Sequence, residues 1–130
     1  MMDKLVSFVI PCYRSEQTIG GVIEEIQETM QTLPQYRYEI ILVNDASPDN
    51  TFGKIKELCN QHKNICGINL AKNFGQHAAL MAGFHAVKGD IVVCLDDDGQ
   101  TPANEVGKLL AQVEHGYDVV YARYEHKQHS

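Results

Sequence analysis

Three consecutive carboxylates, Asp96-Asp97-Asp98, close the run Ile91-Val92-Val93-Cys94-Leu95. Five apolar residues between Gly89-Asp90 and a block of charge predict a buried strand, with the carboxylates crowded at its carboxyl end. Like charges so close repel, and the cluster is costly unless a cation or a hydrogen-bonded ligand offsets it. Mg²⁺ and Mn²⁺ prefer oxygen donors, and Mg²⁺ typically takes one or two carboxylates and fills its shell with water and substrate phosphate. Asp96 and Asp98, one position apart, suit that role, and Gln100 could add a carbonyl oxygen or orient a ligand. The alternative is a solvated acidic turn that caps the next helix, although three adjacent aspartates exceed what a cap requires.

Other polar segments have two readings each. Asp45 follows an apolar strand, where its carboxylate could accept a hydrogen bond from a nucleobase; Asp45 and Asp49 could equally serve as turn and helix-cap residues. Tyr13 could lie along a base or pack as a half-buried aromatic. Lys72 precedes a helix and could face phosphate, or stand on the surface without a partner. His77 and His85 lie on a largely apolar helix and read first as structural side chains.

The elements that position these residues alternate along the chain. Leu5 to Ile10 predicts a strand stopped by Pro11. Ile19, Val22, Ile23, Ile26, Met30 and Leu33 recur at helical spacing, with Ser15 or Thr18 as cap and Pro34 beyond. Tyr38 to Val43 predicts a second strand. A turn from Asn44 to Asn50 then leads to a helix marked by Phe52, Ile55, Leu58 and Cys59. Ile65 to Leu70 predicts a third strand, and Ala78 to Val87 a helix apolar on nearly all sides, buried between layers. After Pro102, Val106, Leu109, Leu110 and Val113 mark another helix, and Asp118 to Tyr121 begins a fifth strand. This order predicts an α/β fold: a mostly parallel sheet with helices on both faces and right-handed crossovers. Ligands of such sheets bind outside the carboxyl ends of the strands, so segments 11–16, 44–49, 70–75 and 96–100 are expected to share one rim.

Composition narrows the function. A net charge of −6 argues against a nucleic-acid partner, because phosphate backbones require a basic face. No stretch approaches the roughly 18 apolar residues of a membrane span, and the amino terminus lacks the pattern of a signal peptide, so a cytoplasmic location is expected. Cys12, Cys59, Cys66 and Cys94 form no C-x-x-C pair, which predicts reduced, mostly buried thiols and neither a zinc site nor a disulfide framework. The phosphate-binding loop G-x-x-x-x-G-K-[ST] and the dinucleotide fingerprint G-x-G-x-x-G are both absent. A calcium-binding EF-hand loop would need Glu where Gly107 or Lys56 stands. The D-x-D-x-T pattern of haloacid-dehalogenase-type phosphatases has Gln100 at the threonine position and lies late in the chain, leaving Mg²⁺-dependent phosphatase activity a distant alternative.

The segments in order are Val9-Ile10-Pro11-Cys12-Tyr13 with Ser15-Glu16, then Val43-Asn44-Asp45-Ala46-Ser47-Pro48-Asp49-Asn50-Thr51. Asn73-Phe74-Gly75-Gln76-His77 and Met81-Ala82-Gly83-Phe84 follow, and then Leu95-Asp96-Asp97-Asp98-Gly99-Gln100 with Pro102. Together they resemble the nucleotide-binding half of a family 2 glycosyltransferase of the GT-A fold, over residues 5 to about 125. The Asn-Phe-Gly segment and the Asp-x-Asp-x-Gln-x-x-Pro pattern are most similar to the polyprenyl-phosphate branch. That branch contains dolichol-phosphate mannose synthases, bactoprenol glucosyltransferases and undecaprenyl-phosphate aminoarabinose-type transferases.

The resemblance implies transfer of a sugar from a nucleotide-sugar, UDP- or GDP-linked, to a lipid phosphate at the cytoplasmic membrane surface. It implies catalytic Asp96 and Asp98, with a Mg²⁺ or Mn²⁺ ion held by Asp96, Asp98 and Gln100 on the diphosphate. Pro11, Tyr13, Glu16 and Asp45 would line the nucleoside pocket, with Lys72 and Asp97, the variable middle position, on the nucleotide side. Arg123 would approach the acceptor phosphate. Asn44 stands where the family commonly has Asp, Ala46 where it has Gly, and Gly99 where it has Leu. Residues 1–122 are expected to form the nucleotide-sugar-binding part and 123–130 a loose tail. The acceptor half and the membrane helices of many members are expected to have no counterpart in this chain. Such a piece could bind nucleotide without catalysis, and an exposed sheet edge could pair with a second copy.

Overall fold

A computed structural model describes residues 4–97, 103–114 and 119–121. Five parallel strands form one sheet in the order β3-β2-β1-β4-β5. They are β1 (Lys4–Cys12), β2 (Tyr36–Asn44), β3 (Ile65–Asn69), β4 (Ile91–Cys94) and β5 (Val119–Tyr121). The connecting helices are α1 (Ile19–Gln31), α2 (Thr51–Gln61), α3 (Gln76–Phe84) and α4 (Ala103–Glu114). The predicted α/β architecture is therefore present, and the strand order reverses between β1 and β4.

Side chains alternate across the central strands, so each face carries its own core. Val6, Phe8 and Ile10 of β1 join Ile40 and Leu42 of β2 against Ile19, Ile23 and Ile26 of α1, Ile55 of α2 and Leu110 of α4. Val9, Ile41 and Val43 face the other way, onto Ala79 of α3.

Two expectations are corrected. β1 does not stop at Pro11 but runs through it to Cys12, where it still pairs with Asn44. Proline removes one N–H, and in a parallel ladder successive residues bond to opposite neighbours. The Cys12 carbonyl accepts from Asp45 N–H on the β2 side, so the missing donor of Pro11 points to the β4 side. There the last rung is already made, from Leu95 N–H to the Val9 carbonyl at 3.1 Å. Proline therefore ends the ladder on the β4 side only, while pairing with β2 continues to Asn44.

Helix α3 is the second difference. It occupies Gln76–Phe84 rather than the predicted 78–87, and only Ala79 and Gly83 within it are buried. Its small residues serve close approach to the sheet: a Cβ on Gly83 would lie 2.5 Å from Val9 Cγ1 and 3.2 Å from Val43 Cγ2. The opposite side is open among the described residues, with Met81 45% exposed.

The thiols follow the expectation in part. Cys12 and Cys94 are buried, Cys59 is half-buried, and Cys66 is exposed; all four are free. Burial pushes the Cys94 thiol up to about 11, which keeps it protonated and unreactive at neutral pH.

Candidate functional site

Strand order reverses between β1 and β4, and in open α/β sheets the ligand crevice lies outside the carboxyl ends of the strands at that point. One wall is the loop from Tyr13 to Thr18, which follows β1. The other is the acidic turn after β4, where Asp96 and Asp97 are both half-buried.

Hydrogen bonds join the two walls directly. Tyr13 N–H donates to Asp97 Oδ2 at 3.0 Å, and Ser15 Oγ donates to the same oxygen at 2.6 Å. Thr18 Oγ1 donates to the Asp97 carbonyl at 2.8 Å. Thr18 therefore stands at the α1 cap position without capping through its side chain. Burial pushes the Cys12 thiol up, and the negative charge of Asp97 pushes in the same direction.

The turn after β2 is tied into the same network. Ser15 N–H donates to Thr51 Oγ1 at 2.9 Å, Arg14 N–H to Ser47 Oγ at 2.8 Å, and Asn50 N–H to Glu16 Oε1 at 3.2 Å. Asp49 Oδ1 accepts from Ser47 Oγ, Thr51 N–H and Thr51 Oγ1, the turn role expected for it, while the α2 cap position falls to Asn50, which makes no side-chain cap bond. Desolvation pushes the Asp49 carboxyl up, but these hydrogen bonds outweigh it and hold the group below its ordinary value.

On the far side of β2, Asp45 is 4% exposed and divides its carboxylate between two backbone donors. Phe74 N–H reaches Oδ1 at 2.9 Å and Gly75 N–H reaches Oδ2 at 3.1 Å. Gly75 adopts φ 98°, a conformation that glycine reaches without penalty and side-chain-bearing residues rarely adopt. The Asp45 carboxylate thus fixes the entry to α3. Asn44, in place of the family's common Asp, is used at both ends: its amide donates to Asn69 Oδ1 at 2.8 Å, and its oxygen accepts from Ser47 N–H at 3.2 Å. A carboxylate could not make the first of these bonds.

Ala46, where the family commonly has Gly, sits at φ 54°. The left-handed region costs a non-glycine residue roughly 1–2 kcal/mol, while glycine adds back roughly 0.4–1 kcal/mol of unfolded-chain entropy. Ala46→Gly is expected to stabilise the fold by about 0.5–1 kcal/mol. The check is the urea midpoint, which should rise; an unchanged or lower midpoint would show the turn to be unstrained.

The expected residues are placed as follows. Pro11 is buried in β1, Tyr13 is 42% exposed at the crevice, and Glu16 is half-buried at the β2 turn. Arg14 lies over the Tyr13 ring, 5.5 Å from its centroid, and Lys72 over the Phe74 ring at 5.9 Å. His77 and His85 are exposed. Asp98, Gln100 and Arg123 lie outside the described residues, as does the tail 123–130. Ser15 and Thr18, which read as helix caps, Ser47, which reads as part of a turn, and Thr51, which carries no reading of its own, are further site residues. Their one signal was a hydroxyl beside each strand end. In donor type the acidic turn fits a hard divalent ion, since the carboxylate of Asp96 supplies oxygen; no three-residue metal cluster is complete among the described residues.

A parallel sheet whose strand order reverses beside an acidic turn defines an open α/β domain. The chain matches the family model "Glycosyl transferase family 2" over residues 7–130, and it belongs to that family. It is 42% identical over 126 residues to an undecaprenyl-phosphate 4-deoxy-4-formamido-L-arabinose transferase of Proteus mirabilis, covering 96% of this chain and 38% of that protein. The chain thus spans well under half the length of such relatives. Among solved structures, the Pyrobaculum calidifontis mannosyltransferase PcManGT, in complex with GDP-Man and Mn²⁺, superposes with a TM-score of 0.65 at 22% identity. That match covers 75% of this chain and 28% of the other. Staphylococcus aureus TarS 1–349 with UDP-GlcNAc gives 0.67 at 19% identity, over 88% of this chain and 32% of its own. These likenesses establish the GT-A fold. No helix among the described residues is long and apolar enough to cross a membrane.

Proposed function

We propose that this chain is the donor-binding part of a glycosyltransferase that moves a sugar from a UDP- or GDP-sugar to polyprenyl phosphate. The observation that carries the reading is the β1–β4 switch point, where the Tyr13 loop and the acidic turn are hydrogen-bonded side by side. Pro11, Tyr13, Glu16 and Asp45 border the nucleoside, with Lys72 toward the phosphates. Asp96, Asp98 and Gln100 hold a Mg²⁺ or Mn²⁺ ion on the diphosphate. When bound, that ion supplies Lewis-acid stabilisation of the departing diphosphate. The carbon–oxygen bond to the diphosphate breaks with its electron pair leaving on the nucleotide, and an acceptor phosphate oxygen bonds the anomeric carbon. A phosphate is already anionic near neutral pH, so the acceptor needs no strong base. The acceptor phosphate, at the cytoplasmic surface of the membrane, is assigned to Arg123. Family membership goes against the phosphatase alternative.

The share of the relatives that this chain spans favours a second reading, in which the 130 residues bind donor but do not transfer sugar. Calorimetry with UDP and GDP, with and without Mn²⁺, tests what both readings have in common. Mn²⁺-dependent binding of at least one nucleotide is expected; binding of neither under any condition overturns them. Sugar transfer to polyprenyl phosphate by the isolated chain would exclude the binding-only reading.

A further inference from the structure

Asp97 stands in sequence between two residues proposed for the metal, and its described bonds run to the β1–α1 loop. Both hydrogen bonds at Oδ2 come from the β1–α1 loop, and its carbonyl takes a third from Thr18. The carboxylate is an ionic acceptor, and charge-assisted hydrogen bonds are roughly twice as strong as neutral ones. Ser15, one of the donors, is 1% exposed and is itself anchored through its N–H to Thr51. Between the two residues that Asp97 holds lies Arg14 at φ 54°, with its N–H on Ser47. A side-chain-bearing residue stays in that region only when its surroundings over-determine it. Here the surroundings are Asp97 on one side and Ser47 on the other.

We infer that Asp97 is a positioning residue, whose carboxylate latches the Tyr13–Ser15 loop to the acidic turn and so sets where the Tyr13 ring meets the nucleoside. The inference rests on the nucleotide-site reading above for its consequence, but not for the latch itself. The latch also makes the acidic turn and the nucleoside loop one mechanical unit.

Two measurements on the 130-residue chain test this. Amide hydrogen exchange at Tyr13 should quicken about tenfold or more in Asp97→Ala, because its N–H loses its acceptor. In Asp97→Asn, which keeps one carbonyl oxygen, the change should be smaller. UDP and GDP affinity should fall by a common factor, on the order of tenfold, whether Mn²⁺ or EDTA is present. Ser15→Ala deletes one bond and leaves the charge of the triplet intact. It should show the same metal-independent loss at smaller size, and it serves if Asp97→Ala fails to fold. A loss confined to the Mn²⁺ arm would make Asp97 a metal ligand and overturn the inference. Unchanged Tyr13 exchange in the variants would overturn it as well. If the unmodified chain binds neither nucleotide, the donor-site reading falls, while Tyr13 exchange still decides the latch.

Discussion

In Asp98→Asn, nucleotide affinity is expected to become the same with Mn²⁺ as without it, while the protein remains folded. Mn²⁺ and Mg²⁺ are hard cations held largely by carboxylate charge, and asparagine offers a neutral oxygen of similar shape. Loss of outer-sphere partners alone typically costs about 10–100-fold in metal affinity, so a direct ligand should cost at least about 100-fold. Calorimetry of UDP and GDP in parallel Mn²⁺ and EDTA titrations gives the answer. Unaltered Mn²⁺-dependent affinity in the variant would remove Asp98 from the metal site.

The second large effect is expected at Asp45, and it concerns stability before binding. Asp45→Ala leaves the part-buried Phe74 N–H without its carboxylate acceptor and the Gly75 N–H with Asn73 Oδ1 in place of the charged partner it shared. Hydrogen bonds to charged groups contribute about 1.5–3 kcal/mol each, and partial rehydration of the loop returns some of it. A net loss of about 2–4 kcal/mol is expected in urea unfolding, together with faster amide exchange at residues 74 and 75. Asp45→Asn should lie between, since one carbonyl oxygen can satisfy only one of the two donors well. A loss under about 0.5 kcal/mol for Asp45→Ala would show that the β3–α3 loop does not depend on this carboxylate. Because the same side chain borders the proposed nucleoside pocket, a binding defect in this variant has to be read beside its stability.

Asp45 and Asp97 show how far the chain could be read without coordinates. Each was recognisable as a carboxylate at the end of an apolar strand, and each was considered for contact with a nucleotide. What their oxygens bond to within the protein was not recognisable. Phe74 and Gly75 lie 29 and 30 residues from Asp45, and Tyr13 lies 84 residues from Asp97, so no local pattern records those pairs. Ser15 and Thr18 were taken for helix caps by the same locality, since a hydroxyl before an apolar stripe signals a cap. The tertiary partner turned their side chains to Asp97 instead. Pro11 was misread for a related reason: whether proline ends a strand depends on which neighbour its missing N–H would have faced.

Sequence alone determined the alternation of strands and helices, the parallel sheet, the family and the rim on which the polar segments meet. Those follow from apolar periodicity and from motifs whose residues are close in the chain, where local sterics and burial leave few alternatives. The tertiary structure decided the strand order, which reverses between β1 and β4, the close seating of α3 through Gly83, and the internal partners of the rim carboxylates. These depend on which distant backbone donors arrive at each oxygen once the sheet has assembled. For the acidic triplet the difference is concrete: its charge was plain in the sequence, and the direction of its middle member emerged only when β1 and β4 came together.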